Sequence, residues 1–199
     1  MADRRNAETT PLSVRDIAIF GMLGAVMYAS KVLMEALPNV HLLGVFTVAL
    51  TIVYRKRALY PIYTYVFING LFAGFNVWWI PYLYLWTLLW GAVMLLPKNM
   101  PPKAKPFVYA GVCSLHGFLF GTLYAPAQAL FFGYTFKQTL TWIAVGLPYD
   151  AIHGISNLIC GSIIVPLAAV ISGADAAAHR NDRRKITAVP DAAESEEEK

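Results

Sequence analysis

The stretch GLPYDAIHGISN, residues 146–157, lies in one of the most apolar regions of the chain. Asp150 is the only formally charged residue between Lys137 and Asp175. Asp150, His153 and Asn157 stand at i, i+3 and i+7, so a helix carries all three on one face. Holding an ionised acid at mid-membrane costs about 2.5–3.5 kcal/mol, so that face must meet protein or water rather than lipid. The question is what an acid, an imidazole and an amide do in such a row.

The surroundings of this stretch set the class of protein. Of the 199 residues, 57% are hydrophobic and 14% are charged; an ordinary soluble domain is about 25% charged. Mean hydropathy is +0.51. No Asp, Glu, Lys or Arg occurs over residues 58–97 or 106–136. A helix needs about 20 apolar residues to cross the hydrocarbon core, so these runs read as membrane spans and leave no room for a separate soluble domain. The net charge of +4 does not point to nucleic acid, because the basic residues sit at the ends of spans and read as topology signals. Cys113 and Cys160 fall within apolar spans and read as small hydrophobes rather than a disulfide framework.

Prolines, glycines and charges divide the chain into six expected spans. The first covers 14–36 and a short second covers 41–54, ending in Arg55, Lys56 and Arg57. The uncharged stretch 58–97 divides at Gly74-Phe75-Asn76 into a third span and a fourth that begins at Trp78. The prolines and charges of 98–103 mark a loop. A fifth span over 107–125 is expected to break at Pro126, a loop or interfacial piece follows around 131–139, and a sixth span runs to about residue 171. This gives a short N-terminal tail (1–13), read as continuing into a retained helix rather than as a signal peptide, and a helical bundle (14–172). Residues 173–199, with Glu194, Glu196, Glu197 and Glu198, are expected to form a disordered tail.

Six spans place both termini on one side. Arg4, Arg5, Arg15, the 55–57 cluster, Lys98, Lys103, Lys105, Arg180, Arg183, Arg184 and Lys185 then fall together, so the positive-inside rule puts both termini in the cytoplasm. The opposite side receives connections 35–41, 74–82 and 128–139, rich in aromatics and amides. They read either as an interfacial aromatic belt or as the wall of a small-molecule site.

Other patterns carry less. Gly21, Ala25 and Ala29 recur every fourth residue in span one, beside Gly24, and let another helix approach closely, whether internal or from a partner. Lys31 and Glu35 are spaced to pair at i, i+4. His153 and Asn157 are equally readable as ligand groups or as hydrogen bonds joining spans five and six. His116 reads as structural, and Asp150 as functional or gating. There is no H-E-x-x-H, G-x-S-x-G or phosphate-binding G-x-x-x-x-G-K, and no histidine spacing suggests a metal site.

Together these features resemble the substrate-binding S-components of energy-coupling factor (ECF) transporters, importers of vitamins and related micronutrients. The resemblance covers residues 14–172. It rests on Gly21-x3-Ala25-x3-Ala29, on Leu37-Pro38-Asn39-Val40, and on Gly146-Leu-Pro-Tyr-Asp150-x2-His153-x3-Asn157. It implies an all-α, six-helix integral protein of a bacterial cell membrane, with a ligand site near the outer face and no cofactor or ATPase of its own. Its partners would be a transmembrane scaffold (T) subunit and two ATP-binding subunits, docked on Gly21, Ala25 and Ala29. ATP hydrolysis by those partners would topple the subunit and release its substrate inside. Position beneath the outer connections nominates Asn39, Asn76, Trp79, Tyr82, Tyr124, Gln128 and Asp150 as contacts to a vitamin-like substrate, followed by His153 and Asn157. Rings, amides and one acid suit a neutral or cationic heterocycle. Two readings from other classes stay open: a small intramembrane enzyme using Asp150, His153 and His116, and a ligand-free membrane assembly factor.

Overall fold

The computed structural model describes residues 11–187, with side chains through residue 180. Every regular element among them is helical: α1 (Val14–Leu33), α2 (Leu43–Tyr54), α3 (Leu59–Ala73), α4 (Tyr82–Leu95), α5 (Lys105–Phe118), α6 (Phe120–Phe132), α7 (Phe136–Cys160) and α8 (Ile164–Thr187), with short 3-10 turns at Arg55–Ala58, Val77–Trp79 and Gly161–Ile163. Local chemistry starts the capped helices. Ser13 and Asp16 form a reciprocal capping box at α1, and Thr135 and Gln138 do the same at α7.

Four helical stretches are long and apolar enough to cross a membrane: Val14–Leu33, Val77–Leu95, Lys105–Phe132 and Phe136–Arg180. The chain is therefore an all-helical protein with the character of a membrane protein. Its surface agrees: Phe72 (74%), Leu130 (79%), Ile159 (68%) and Val170 (68%) are strongly exposed on different helices, a pattern suited to lipid rather than water. Helices α2 and α3, with 12 and 15 residues, fall short of a full crossing by length alone.

Helix α2 is the centre of the bundle. Residues 43–51 are all buried, so it needs no lipid-facing side. It packs against α4 and α8, while α1 lies on α3, and both α5 and α6 lie on α7. Phe46 and Leu50 join Met27, Ile62, Tyr65 and Trp86 in one core cluster. Val45 and Val48 join Leu89, Val93, Cys113 and Ile164 in a second.

Three expected boundaries change. The fifth span breaks at Leu119, between α5 and α6, and not at Pro126, which lies inside α6. The piece expected over 131–139 shrinks to the turn 133–135, where left-handed Gly133 ends α6 and the Thr135 box starts α7. Helix α8 continues to Thr187, so residues 173–187 are helical where a disordered tail was expected; Glu194, Glu196, Glu197 and Glu198 lie outside the described residues. The division at 74–76 falls where expected, between α3 and the 3-10 turn.

The two ends of the bundle differ. At one end Arg15 Nη1 donates to the Ala178 carbonyl at 3.0 Å, Arg57 lies 3.6 Å from Asp16, and His179 lies between Asp16 (3.7 Å) and Asp175 (3.8 Å). Tyr54 donates to Asp175 at 3.2 Å and Arg55 to the Met94 carbonyl at 3.3 Å. The start of α1, the α2–α3 reversal, the end of α4 and the polar half of α8 thus share one end. At the other, Lys31 pairs with Glu35 at 3.4 Å, as their spacing predicts.

Helices α5 and α7 approach through glycine. A Cβ on Gly117 would lie 2.9 Å from the Gly154 backbone and 2.8 Å from Asn157 Nδ2; backbone cannot swing aside as a side chain can. Gly117→Ala is expected to cost about 1–3 kcal/mol, the usual penalty of overpacking, and to lower the unfolding temperature in detergent. Gly21→Ala, with nothing within 4 Å of the added atom, is expected to leave it unchanged. Equal unfolding temperatures for the two variants would refute this account of the contact.

Candidate functional site

The polar face of α7 divides into three roles. Asp150 is buried, and both its carboxylate oxygens accept from the Gly121 N–H, at 3.0 and 3.1 Å. Gly121 is in the first turn of α6, where backbone N–H groups lack intrahelical partners and negative charge is favourable. A Cβ at Gly121 would sit 2.5 Å from Asp150 Oδ2, so a larger residue there would push the carboxylate away. The acid therefore caps the α5–α6 break, which explains both its presence in an apolar helix and the position of the break.

Asn157, fully buried, donates from Nδ2 to the Cys113 carbonyl at 3.2 Å. Ser114 donates to the Gly154 carbonyl at 2.8 Å. These bonds join α5 to α7. Ser156 donates to the carbonyl of Asn39 at 3.1 Å, fixing the 37–40 turn, where Asn39 itself is left-handed with φ 58°; asparagine is among the few residues that tolerate this.

His153 behaves differently. It pairs with neither Asp150 nor Asn157. Its ring lies 4.6 Å from His41 and 5.0 Å from Phe120, centroid to centroid. Around Trp86 the rings of Tyr82 (5.9 Å), His116 (5.9 Å), Tyr65 (6.1 Å), Phe120 (6.1 Å) and His41 (6.3 Å) complete a cage. His116 Nε2 is 3.0 Å from the Leu85 carbonyl. In this cage His41 Nδ1, His116 Nδ1, His153 Nε2, Trp86 Nε1 and the Tyr65 hydroxyl are buried and have no protein partner. Asn69, one helical turn beyond Tyr65 on the same face of α3, leaves its amide nitrogen and oxygen unpartnered as well. Buried polar atoms are rarely left so, each costing about 1–3 kcal/mol, and a concentration of them is the main chemical irregularity of the molecule.

Of the residues nominated from sequence, Tyr82 and His153 belong to the cage, and Tyr124 adjoins it through Phe120 at 6.4 Å. The Tyr124 hydroxyl donates to the Trp78 carbonyl at 3.0 Å and its ring stacks on Trp142. Asp150, Asn157 and Asn39 serve the caps and ties described above. Asn76 is exposed and caps its own 3-10 turn, accepting from Val77 N–H at 2.6 Å. Trp79 donates to the Val66 carbonyl at 2.8 Å and lies against Phe75. Gln128 is half-buried on α6. The cage residues His41, Tyr65, Trp86 and Phe120, and Asn69 one turn beyond Tyr65, were not nominated, and His116 was read as structural. Their signal was the i, i+4 pairing of Tyr65 with Asn69, Tyr82 with Trp86 and His116 with Phe120 in otherwise apolar helices. Among the described residues no three His, Cys, Asp or Glu side chains converge as metal ligands.

The fold and this site define an all-helical protein with the character of a membrane protein and a buried, uncharged ring cage. Compared with known proteins, the chain matches no family model, no curated protein and no solved structure.

The capping role of Asp150 is open to a direct check. Asp150→Leu strands the Gly121 N–H and is expected to destabilise by about 1–3 kcal/mol. Asp150→Asn keeps one acceptor and should recover most of that loss in thermal unfolding. Equal destabilisation by both variants would argue against the cap.

Proposed function

We propose that the chain is the substrate-binding membrane subunit of an ATP-driven importer of the ECF type, capturing a vitamin-like micronutrient at the outer face of a bacterial cell membrane. The observation that carries this reading is the cage: a concentration of unpartnered donors and acceptors among stacked rings, inside a small helical bundle. Such a composition suits binding, with a few polar groups to orient a ligand among apolar walls.

In this reading the chain crosses the membrane six times, with α2 and α3 as two short crossings shielded by the others, and both termini are cytoplasmic. The clustering of Arg15, Arg55, Arg57 and the polar part of α8 at one end of the bundle supports that orientation. The scaffold subunit docks on α1. Gly24 faces inward, where an added Cβ would meet Thr64 at 2.6 Å, whereas Gly21 has open space above it and Ala25 and Ala29 are exposed. The small-residue stripe is thus free for a second chain. Two ATP-binding subunits supply the energy that this chain has no phosphate loop to harvest.

Affinity purification of the tagged chain from its own membranes tests the assignment. Recovery of a transmembrane scaffold with ATP-binding subunits is expected. Ala25→Trp and Ala29→Trp are expected to cut that recovery at least tenfold while leaving the unfolding temperature of the isolated subunit unchanged. A chain that purifies alone, from an extract in which other multisubunit transporters stay intact, would sink the assignment.

A further inference from the structure

We propose that His41, His116, His153, Trp86, Tyr65 and Asn69 form the ligand site, and that the ligand is an uncharged, planar aromatic heterocycle carrying both hydrogen-bond donors and acceptors. The proposal rests on the importer reading only in calling this ligand a transported substrate; the binding itself stands on the cage.

The walls are the first argument. Trp86 and Phe120, 6.1 Å apart, meet three imidazoles and three phenols, with neighbouring rings mostly edge-on or tilted to one another. A flat aromatic guest replaces such ring–ring contacts with stacking of the same kind. An aliphatic chain does not.

The unpartnered atoms are the second. Trp86 Nε1–H can only donate. Each histidine nitrogen donates or accepts according to its tautomer, the Tyr65 hydroxyl does either, and the Asn69 amide does both. Their residues are nine-tenths or more buried, except His41, which is half-buried at the mouth of α2. A guest with mixed edges, such as ring nitrogens beside carbonyl or amino groups, satisfies this set. A hydrocarbon leaves it orphaned.

Charge is the third argument. The cage contains no Lys, Arg, Asp or Glu. The nearest acid on α7, Asp150, already accepts from Gly121 with both oxygens, and Lys31, whose charge reaches His41, is already paired with Glu35. A permanently charged guest would be buried without a counter-ion, at a cost of several kcal/mol.

Two measurements on the purified full-length protein test the proposal. The first is native mass spectrometry of protein extracted from its own membranes, in which an added mass identified as an uncharged heterocycle is expected. The second is titration by tryptophan fluorescence with three matched pairs: nicotinamide and nicotinate, pyridoxine and its phosphate, lumichrome and flavin mononucleotide. The uncharged member of at least one pair is expected to bind at least tenfold more tightly than its charged partner. Trp86→Phe, Tyr65→Phe and Asn69→Leu should each weaken that binding by about tenfold, as for loss of one hydrogen bond in a dry site. Thr141→Val, on the exposed start of α7, should not.

Trp86→Phe also separates ligand from water. If the orphaned atoms serve only enclosed waters or nothing, removing the indole N–H leaves binding unaltered and the protein no less stable. That result overturns the proposal, as does equal affinity for charged and uncharged partners. Bare protein in the mass spectrum, together with no binding by any of the six probes, overturns it too. A charged molecule bound to a chain that still recruits ATP-binding subunits would end the substrate class and leave the importer reading standing. Trp86-dependent binding of an uncharged ring by a chain that recruits no ATP-binding subunit would do the reverse.

Discussion

The structure depends on the close contact between α5 and α7. Lipid tails are as apolar as leucine, so helices in a membrane gain little from hiding apolar surface against each other; packing and hydrogen bonds hold them together. Gly117 and Gly154 bring the two backbones together, and the Ser114 and Asn157 hydrogen bonds form across that gap at 2.8 and 3.2 Å. His116 precedes and Phe120 follows Gly117 on one side, and His153 precedes Gly154 on the other. The approach that removes two side chains therefore places three rings in one volume. A wider spacing would open the cage and break both hydrogen bonds together.

A second constraint runs through α2. With residues 43–51 all buried and only Ile52, Val53 and Tyr54 partly exposed, this helix of about 18 Å serves as a core around which longer helices are arranged. Its N-terminal end carries His41 into the cage, and its C-terminal end reverses at Arg55, in left-handed backbone with φ 54°. A non-glycine residue in that conformation carries some strain. The bonds of Arg55 to the Met94 carbonyl and of Trp90 to the Arg55 carbonyl hold it. One short helix thus links the ring cage to the basic end of the bundle.

Much of this was legible in the sequence because it is written in local patterns. The apolar runs, the division at 74–76, the Lys31–Glu35 pair and the polar face of the 146–157 helix all follow from spacing alone. The break at Leu119 was not legible, because its cause is the Asp150 carboxylate, 29 residues beyond the Gly121 that it accepts from; proline at 126 is the louder local signal, and the helix runs through it. The cage was missed for a related reason. His41, Tyr65, Trp86 and His116 come from four elements, and periodicity shows which residues share a face but not which faces meet. Asn76 and Trp79 show the converse limit. They have the chemistry of ligand contacts, yet Asn76 caps its own turn and Trp79 is bound to the Val66 carbonyl.

The row of acid, imidazole and amide in 146–157 now separates by function. Asp150 is fastened to α6 through Gly121, and Asn157 is fastened to α5 through Cys113. His153 lies between these two anchors, with its backbone held one turn on either side and its Nε2 unpartnered. A ligand meeting that nitrogen would not need to order the helix that carries it, so little of its binding energy would be lost to immobilising the site. The costly acid is thus fastened to a neighbouring helix by both its oxygens. It is the anchor that keeps a neighbouring imidazole rigid, free and buried among rings.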